Sequence, residues 1–177
     1  DYEPRSPRVV SEEPPAQGPI FLRVGTFEAR KSPIEIARAF QKMNQSRIVA
    51  QLVMVGRPSA SDDAINEAVA DIVDQEVGVT WIQEAGDAQI HALMQQADAF
   101  LSFGTEGYGI PVLEALAVRT PVLFGGIQPA AELMLGAGAQ RVFDANDSRL
   151  DMGLAEWADP DRLAELARQI DTTKIPT

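Results

Sequence analysis

The sequence predicts an α/β domain built on a six-stranded parallel sheet, with helices covering both faces. Three observations predict it. Short apolar runs alternate with stretches of helical periodicity from Ile20 onward. Several runs stop at glycine, at Gly25, Gly56 and Gly125-Gly126. Helix starts are marked by Ser32-Pro33, Ser61-Asp62-Asp63 and Asp159-Pro160.

Residues 1–19 hold Pro4, Pro7, Pro14, Pro15 and Pro19 with Glu12-Glu13 between them, and read as an extended linker or tail before a domain at 20–177. Ile20–Val24 is the first strand. Ser32 can cap the helix that follows and Pro33 can open it, with Ile36, Phe40 and Met43 on one face. Ile48–Val55 is the second strand, and the next helix carries Ile65, Val69, Ile72 and Val73 inward. Val79–Ile82 is the third strand, with Trp81 in the core. Asp87 then caps a helix bearing Ile90, Leu93 and Met94, with His91 on its surface. Ala99–Phe103 is the fourth strand, and the helix after it starts at Pro111 with Val112, Leu113, Leu116 and Ala117. Pro121–Phe124, a short helix over Ala130–Leu135, a strand over Gln140–Phe143 and a last helix bearing Leu163, Leu166 and Ile170 complete the series.

The chain has 177 residues, 45% of them hydrophobic, and a mean hydropathy of -0.09, enough for one well-buried core. No apolar run approaches the roughly 20 residues of a membrane span. Asp1-Tyr2-Glu3-Pro4 lacks the basic and apolar regions of a signal peptide. With no cysteine, disulfides and thiol catalysis are excluded, and a reducing, cytoplasmic setting is expected. A single histidine, His91, leaves little for a zinc site or a His-based triad, and no metal site is expected. Fifteen basic against 26 acidic residues give a net charge of -11, which repels nucleic-acid backbones. An anionic ligand therefore needs a local cationic pocket, for which Arg30-Lys31 is the best candidate.

Ligands of parallel α/β sheets sit beyond the carboxyl ends of the strands. That rim collects Gly25–Lys31, Gly56-Arg57, Gln83–Asp87, Gly104–Ile110 and Gly125-Gly126. Glu106-Gly107-Tyr108-Gly109-Ile110-Pro111-Val112-Leu113-Glu114 stands out, with two carboxylates eight positions apart around a glycine turn that feeds a helix. Such a strand–turn–helix places backbone N–H groups where a phosphate can meet them.

Val24-Gly25-Thr26-Phe27-Glu28-Ala29-Arg30-Lys31 resembles the Val-Gly-Thr-x-Glu-x-Arg-Lys opening of the donor domain of retaining glycosyltransferases with the GT-B fold, of the group 1 type (family 4). Glu106–Glu114 resembles that family's E-x7-E motif, and Ala115–Val122 extends it. The likeness covers residues 20–170. Thr26 stands where many members have an Arg, Ser102–Thr105 replaces a Pro-Ser segment, and Gln83 and Arg119 stand where Gly is common.

The resemblance implies that this chain is the C-terminal, Rossmann-like half of a GT-B enzyme, with the N-terminal acceptor-binding domain lying outside it. It implies retaining transfer of a hexosyl group, mannosyl favoured, from a GDP- or UDP-sugar to a glycan or lipid-linked acceptor. No cofactor or required metal is implied, and the full-length protein is expected in the cytoplasm, peripheral at the inner face of the membrane. Lys31 and Arg30 would neutralise the diphosphate leaving group. Glu106 would accept bonds from sugar hydroxyls, and Glu114 from the ribose. Gly25, Thr26, Gly107, Tyr108, Gly109 and Ile110 would line the donor, with the base near Ala85 and Asp87. Each has a duller reading: Glu114 favours the helix dipole, Arg30-Lys31 is an exposed pair, Tyr108 only packs, and Arg57 stays open between ligand contact and surface charge. At the level of the whole chain, the alternative is a catalytically degenerate GT-B domain acting as a scaffold in a larger glycan-assembly protein.

Overall fold

The computed structural model describes residues 18–176. Its elements run β1 (Ile20–Val24), a 3-10 turn (Ala29–Lys31), α1 (Pro33–Gln45), β2 (Gln51–Val55), α2 (Asp63–Gln75), β3 (Val79–Ile82) and α3 (Asp87–Gln96). They continue with β4 (Ala99–Ser102), α4 (Ile110–Ala117), β5 (Val122–Phe124), α5 (Pro129–Leu133), β6 (Ala139–Arg141), α6 (Leu150–Glu156), α7 (Pro160–Arg168) and a closing 3-10 turn (Thr172–Lys174). The six strands form one sheet in the order β3-β2-β1-β4-β5-β6, and every neighbouring pair is parallel. The expected parallel α/β architecture is therefore the one observed. Residues 1–17 of the proline-rich segment lie outside the described residues, whereas the Pro19 carbonyl already accepts the Gln51 N–H at 2.9 Å.

Strand alternation sorts the core into two layers. On one face Phe21, Leu52, Met54 and Leu101 pack with Ile36 and Phe40 of α1, Val69 of α2, Leu154 of α6 and Leu163 of α7. Phe21 and Phe40 meet edge-on, their ring centroids 5.3 Å apart. On the other face Leu22, Val55, Phe100 and Phe124 pack with Met94 of α3, Val112 and Leu116 of α4 and Ala130 of α5. Burying both faces removes both layers from water, the main favourable term in folding.

Several element bounds differ from the periodicity. β2 starts at Gln51, not Ile48, because α1 ends in a turn in which Ile48 N–H bonds back to the Met43 carbonyl and Arg47 takes a left-handed φ of 60°. β6 covers 139–141 rather than 140–143, and α6 was not foreseen. That helix has no side-chain cap at Arg149 and holds Gly153 against Phe143, so it lacks the usual start signal. Gly86, not Asp87, occupies the N-cap of α3, and Asp87 is its first helical residue. Ser32 holds the N-cap position of α1 in a left-handed conformation without a side-chain bond, whereas Asp62 and Asp159 do cap α2 and α7. Trp81 is only half-buried: it stacks on Phe27 at 4.3 Å and donates its Nε1–H to the Gly56 carbonyl at 2.9 Å.

The order of the strands creates a switch point between β1 and β4, where the chain changes its direction of travel across the sheet. There the loops after β1 and β4 are joined. Thr105 N–H donates to the Arg30 carbonyl at 2.7 Å, and Ile127 N–H to the Gly104 carbonyl at 2.9 Å. Gly104 has φ 82°, and a Cβ there would lie 1.9 Å from the Arg30 carbonyl oxygen. Gly104→Ala is expected to destabilise the domain by about 1–3 kcal/mol through this backbone clash, seen as a lower urea midpoint. Arg119, at the end of α4, carries φ 64°. Arg119→Gly relieves that left-handed strain and is expected to raise stability by about 0.5–1 kcal/mol in the same measurement.

Candidate functional site

β1 ends at Val24, and Gly25 continues the ladder by donating its N–H to the Val55 carbonyl at 2.9 Å. The chain then turns through Thr26 and Phe27 into the 3-10 turn that carries Arg30 and Lys31. Lys31 extends back over Gly25, where a Cβ would meet its Nζ at 3.4 Å. Its ammonium reaches Glu106 Oε1 at 3.0 Å, and the two side chains are 17% and 20% exposed. A half-buried pair of this kind feels a lower dielectric than a surface pair, so its charges act on each other and on an incoming anion more strongly. The structure thus joins two of the residues singled out from separate motifs.

Glu106 is set from below by its own backbone, whose N–H donates to the Ile127 carbonyl at 3.0 Å. The Tyr108 carbonyl accepts the Ala130 N–H at 3.0 Å, which ties the turn to α5. Gly109, with φ 99°, is the N-cap of α4, so the turn enters the helix through a backbone shape that residues with a Cβ seldom adopt. Gly107 has no neighbouring atom within 4 Å of where a Cβ would stand, which leaves its backbone open to a ligand. Tyr108 and Ile110 expose 46% and 62% of their surface beside it. Glu114 lies one turn into α4, exposed, and its carboxylate has no ion pair or hydrogen bond among the described residues.

The other expected residues are placed differently. Arg30 donates through Nε to Glu28 at 2.7 Å and through a terminal nitrogen to the Thr105 carbonyl at 2.8 Å, so its guanidinium braces the β1–β4 junction. Thr26 donates its hydroxyl to Glu28 at 2.6 Å. The bond from Thr26, and then that from Arg30, hold the Glu28 carboxyl below the usual range. Ala85 packs half-buried against the second core layer, and Asp87 is exposed at the start of α3. Both follow β3, the edge strand, with β2 between it and β1; neither is bonded to the Lys31–Glu106 pair. The Arg57 side chain is exposed and has no bonding partner among the described residues, while its carbonyl accepts the Phe27 N–H at 3.1 Å.

Two further residues serve this rim and escaped the sequence reading. Gln128 is buried; it accepts the Ser102 hydroxyl at 2.6 Å and donates to the Gly104 carbonyl at 3.2 Å. Arg23, in β1, is also buried and donates to the Gly25 and Thr26 carbonyls at 2.5 and 2.8 Å. Burial lowers its pKa to about 10, against the pull of Glu106 and Glu28, so it stays protonated at neutral pH. A lone charge inside a strand covered on both faces was the available signal, since such a charge must find partners. No group of three or more His, Cys, Asp or Glu side chains converges on a metal-binding geometry among the described residues.

The rim can therefore offer a cation, open backbone and two spaced carboxylates to a polyhydroxylated anion. The family model described as "Glycosyl transferases group 1" matches residues 8–170. The chain is 30% identical over 157 residues to the O-antigen chain mannosyltransferase B of Escherichia coli, across 83% of this chain and 39% of that protein. It is 28% identical over 120 residues to a serotype-specific mannosyltransferase of Escherichia coli, across 67% of this chain and 15% of that one. It is 32% identical over 138 residues to the D-inositol 3-phosphate glycosyltransferase of Kineococcus radiotolerans, across 71% and 31%. The chain thus spans well under half the length of these curated relatives. Among solved structures, a UDP-forming α,α-trehalose-phosphate synthase from Burkholderia xenovorans superposes with TM-score 0.72 at 14% identity, over 89% of this chain and 40% of that one. Sucrose-phosphate synthase from Thermosynechococcus elongatus does so with TM-score 0.68 at 22% identity, over 88% and 40%. Those two likenesses show the fold; the match along nearly the whole sequence, with both motifs on one rim, shows that the chain belongs to the group 1 glycosyltransferases.

Proposed function

We propose that this chain is the donor-binding half of a retaining glycosyltransferase that moves a hexosyl group, mannosyl favoured, from a GDP- or UDP-sugar to a glycan or lipid-linked acceptor in polysaccharide assembly. The observation that carries the reading is the 3.0 Å contact between Lys31 and Glu106 at the switch point, with Glu114 one turn into the adjacent helix. The names of the Escherichia coli relatives support the mannosyl preference.

Breaking the sugar–phosphate bond leaves charge on the nucleoside diphosphate. Lys31 stabilises that charge, and a hydrogen bond to a charged group of this kind is worth about 1.5–3 kcal/mol. The α4 N-terminus adds its dipole, about 0.3–1 kcal/mol. Glu106 gives up part of its hold on Lys31 when the diphosphate arrives and accepts bonds from sugar hydroxyls. Glu114 accepts from the ribose. The acceptor hydroxyl attacks the face that the nucleoside diphosphate departs from, within a short-lived ion pair, its proton passes to the departing phosphate oxygen, and configuration is retained. The cationic side chains do the work that a metal ion does elsewhere. Arg30 joins them when its guanidinium turns from Glu28 to the phosphates.

The acceptor is held by an N-terminal domain of the same protein, and transfer requires the cleft to close between the two domains. The full-length protein works in the cytoplasm, peripheral at the inner membrane face, where lipid-linked acceptors are found.

In calorimetric titrations with GDP- and UDP-sugars, Lys31→Ala is expected to weaken binding by about 1.5–3 kcal/mol. Glu114→Ala is expected to weaken nucleotide binding while leaving inorganic pyrophosphate binding unchanged. Wild-type affinity in both variants would refute the site. In the full-length protein, Glu106→Ala is expected to abolish sugar transfer in a product assay. A scaffold would keep its function with that substitution.

A further inference from the structure

Arg23 is an unusual residue for its place. It interrupts the apolar run Ile20-Phe21-Leu22-Arg23-Val24, shares the Phe21 face of β1, and is only 3% exposed. A buried guanidinium needs acceptors, and this one takes two successive backbone carbonyls, those of Gly25 and Thr26. Its carbon centre lies 4.7 Å from the centroid of the Phe27 ring, whose other neighbour is Trp81 at 4.3 Å. Trp81 is in turn bonded to the Gly56 carbonyl. The guanidinium thus anchors a stack that runs from β1 to β3 beneath the β1 loop.

The consequence lies in the peptide between Gly25 and Thr26. A trans peptide directs its C=O and N–H to opposite sides, and the chain contains no cis peptide among its described residues. The Gly25 carbonyl points at the buried Arg23, so the Thr26 N–H points away from it. The position of Gly56 agrees: a Cβ there would lie 1.9 Å from the Gly25 oxygen, 2.6 Å from its carbon and 3.3 Å from Thr26 N, which puts Gly56 on the carbonyl side. In a trans peptide the N–H lies on the same side as the preceding Cα, here Gly25, and that is the residue over which the Lys31 ammonium rests. Thr26 is exposed, and its N–H has no acceptor among the described residues.

We propose that Arg23 is a positioning residue: it draws the Gly25 and Thr26 carbonyls inward and thereby turns the Thr26 N–H to the rim beside Lys31, where it binds an oxygen of the donor's diphosphate. The inference rests on the donor-binding reading above and adds to it a backbone ligand and the side chain that aims it. The arrangement also keeps the negative ends of two peptide dipoles away from the anion. Because Arg23 remains protonated at neutral pH, the two carbonyls stay engaged there.

The test is a titration of the whole chain, labelled with 15N, with GDP, UDP, inorganic pyrophosphate and the free nucleosides. In the wild type the Thr26 amide is expected to move downfield with GDP, UDP and pyrophosphate and to stay in place with guanosine or uridine. Arg23→Met keeps an unbranched stem and removes the donors. It is expected to weaken GDP or UDP binding by about 10-fold or more, the worth of one hydrogen bond to a charged group, and to abolish the Thr26 shift. Nucleoside binding should be unaltered, which a general loss of structure would not spare. Arg23→Lys, with a cation but no planar fork, should recover part of the affinity. A Thr26 amide that stays in place while other rim amides respond to diphosphate in the wild type overturns the proposal, with no variant needed. Unchanged diphosphate affinity in Arg23→Met does so as well. If the wild type binds none of the phosphate ligands, the donor-binding reading itself fails.

Discussion

The site depends on one junction, the backbone contact between the loops after β1 and β4. The Thr105 N–H meets the Arg30 carbonyl, and Gly104 lets the two backbones touch. Arg30 reinforces the junction by reaching across to the Thr105 carbonyl. Lys31 and Glu106 are the next residues on either side, so their ion pair follows from it. Because β1 and β4 are neighbours in the sheet, the loops after them start side by side, and because the helices that follow leave toward opposite faces, a crevice opens between them above the contact. Such a crevice is where ligands of open α/β sheets fit.

Electrostatics at the rim run against the rest of the molecule. The chain carries a net charge of -11, and such a surface repels a sugar nucleotide at long range. Inside roughly one Debye length the local arrangement prevails. Arg23 lies beneath the β1 loop, Lys31 above it, and the Arg57 side chain has no partner among the described residues at the neighbouring loop. Glu28 is tied down by Thr26 and Arg30, which moderates its repulsion of an anion. Glu106 is shared with Lys31, and Glu114 stands farther along α4. Cations at the turn and carboxylates flanking it suit a ligand that is anionic in the middle and hydroxylated at both ends.

Much of this was legible in the sequence. Glycine-terminated apolar runs marked the strands, and the spacing of Ile36, Phe40 and Met43 or of Leu163 and Leu166 marked helix faces that are buried as expected, whereas Ile170 lies beyond the end of α7 and packs in the other core layer. Arg119, at the position where the family its motif resembles commonly has Gly, adopts a left-handed backbone of the kind glycine favours. What was missed had weak local signals. α6 starts without a cap, and β2 starts late because the turn after α1 uses residues that read as strand. Ser32 and Asp87 were each assigned as helix caps from residue type, whereas the observed role depends on where the backbone puts them.

By itself the sequence determined the fold class, the family and the two motifs, because these depend on periodicity and on residue types at fixed spacing, which are local properties. Only the tertiary structure decided which charges are free and which are engaged. Arg30 turned out to be bonded to its neighbours, Lys31 to be directed at Glu106, and an unremarked Arg23 to be bonded to the Gly25 and Thr26 carbonyls. The physical reason is that a side chain's charge acts through its distance to partners and its exposure to water, and both are set by segments far away in the chain.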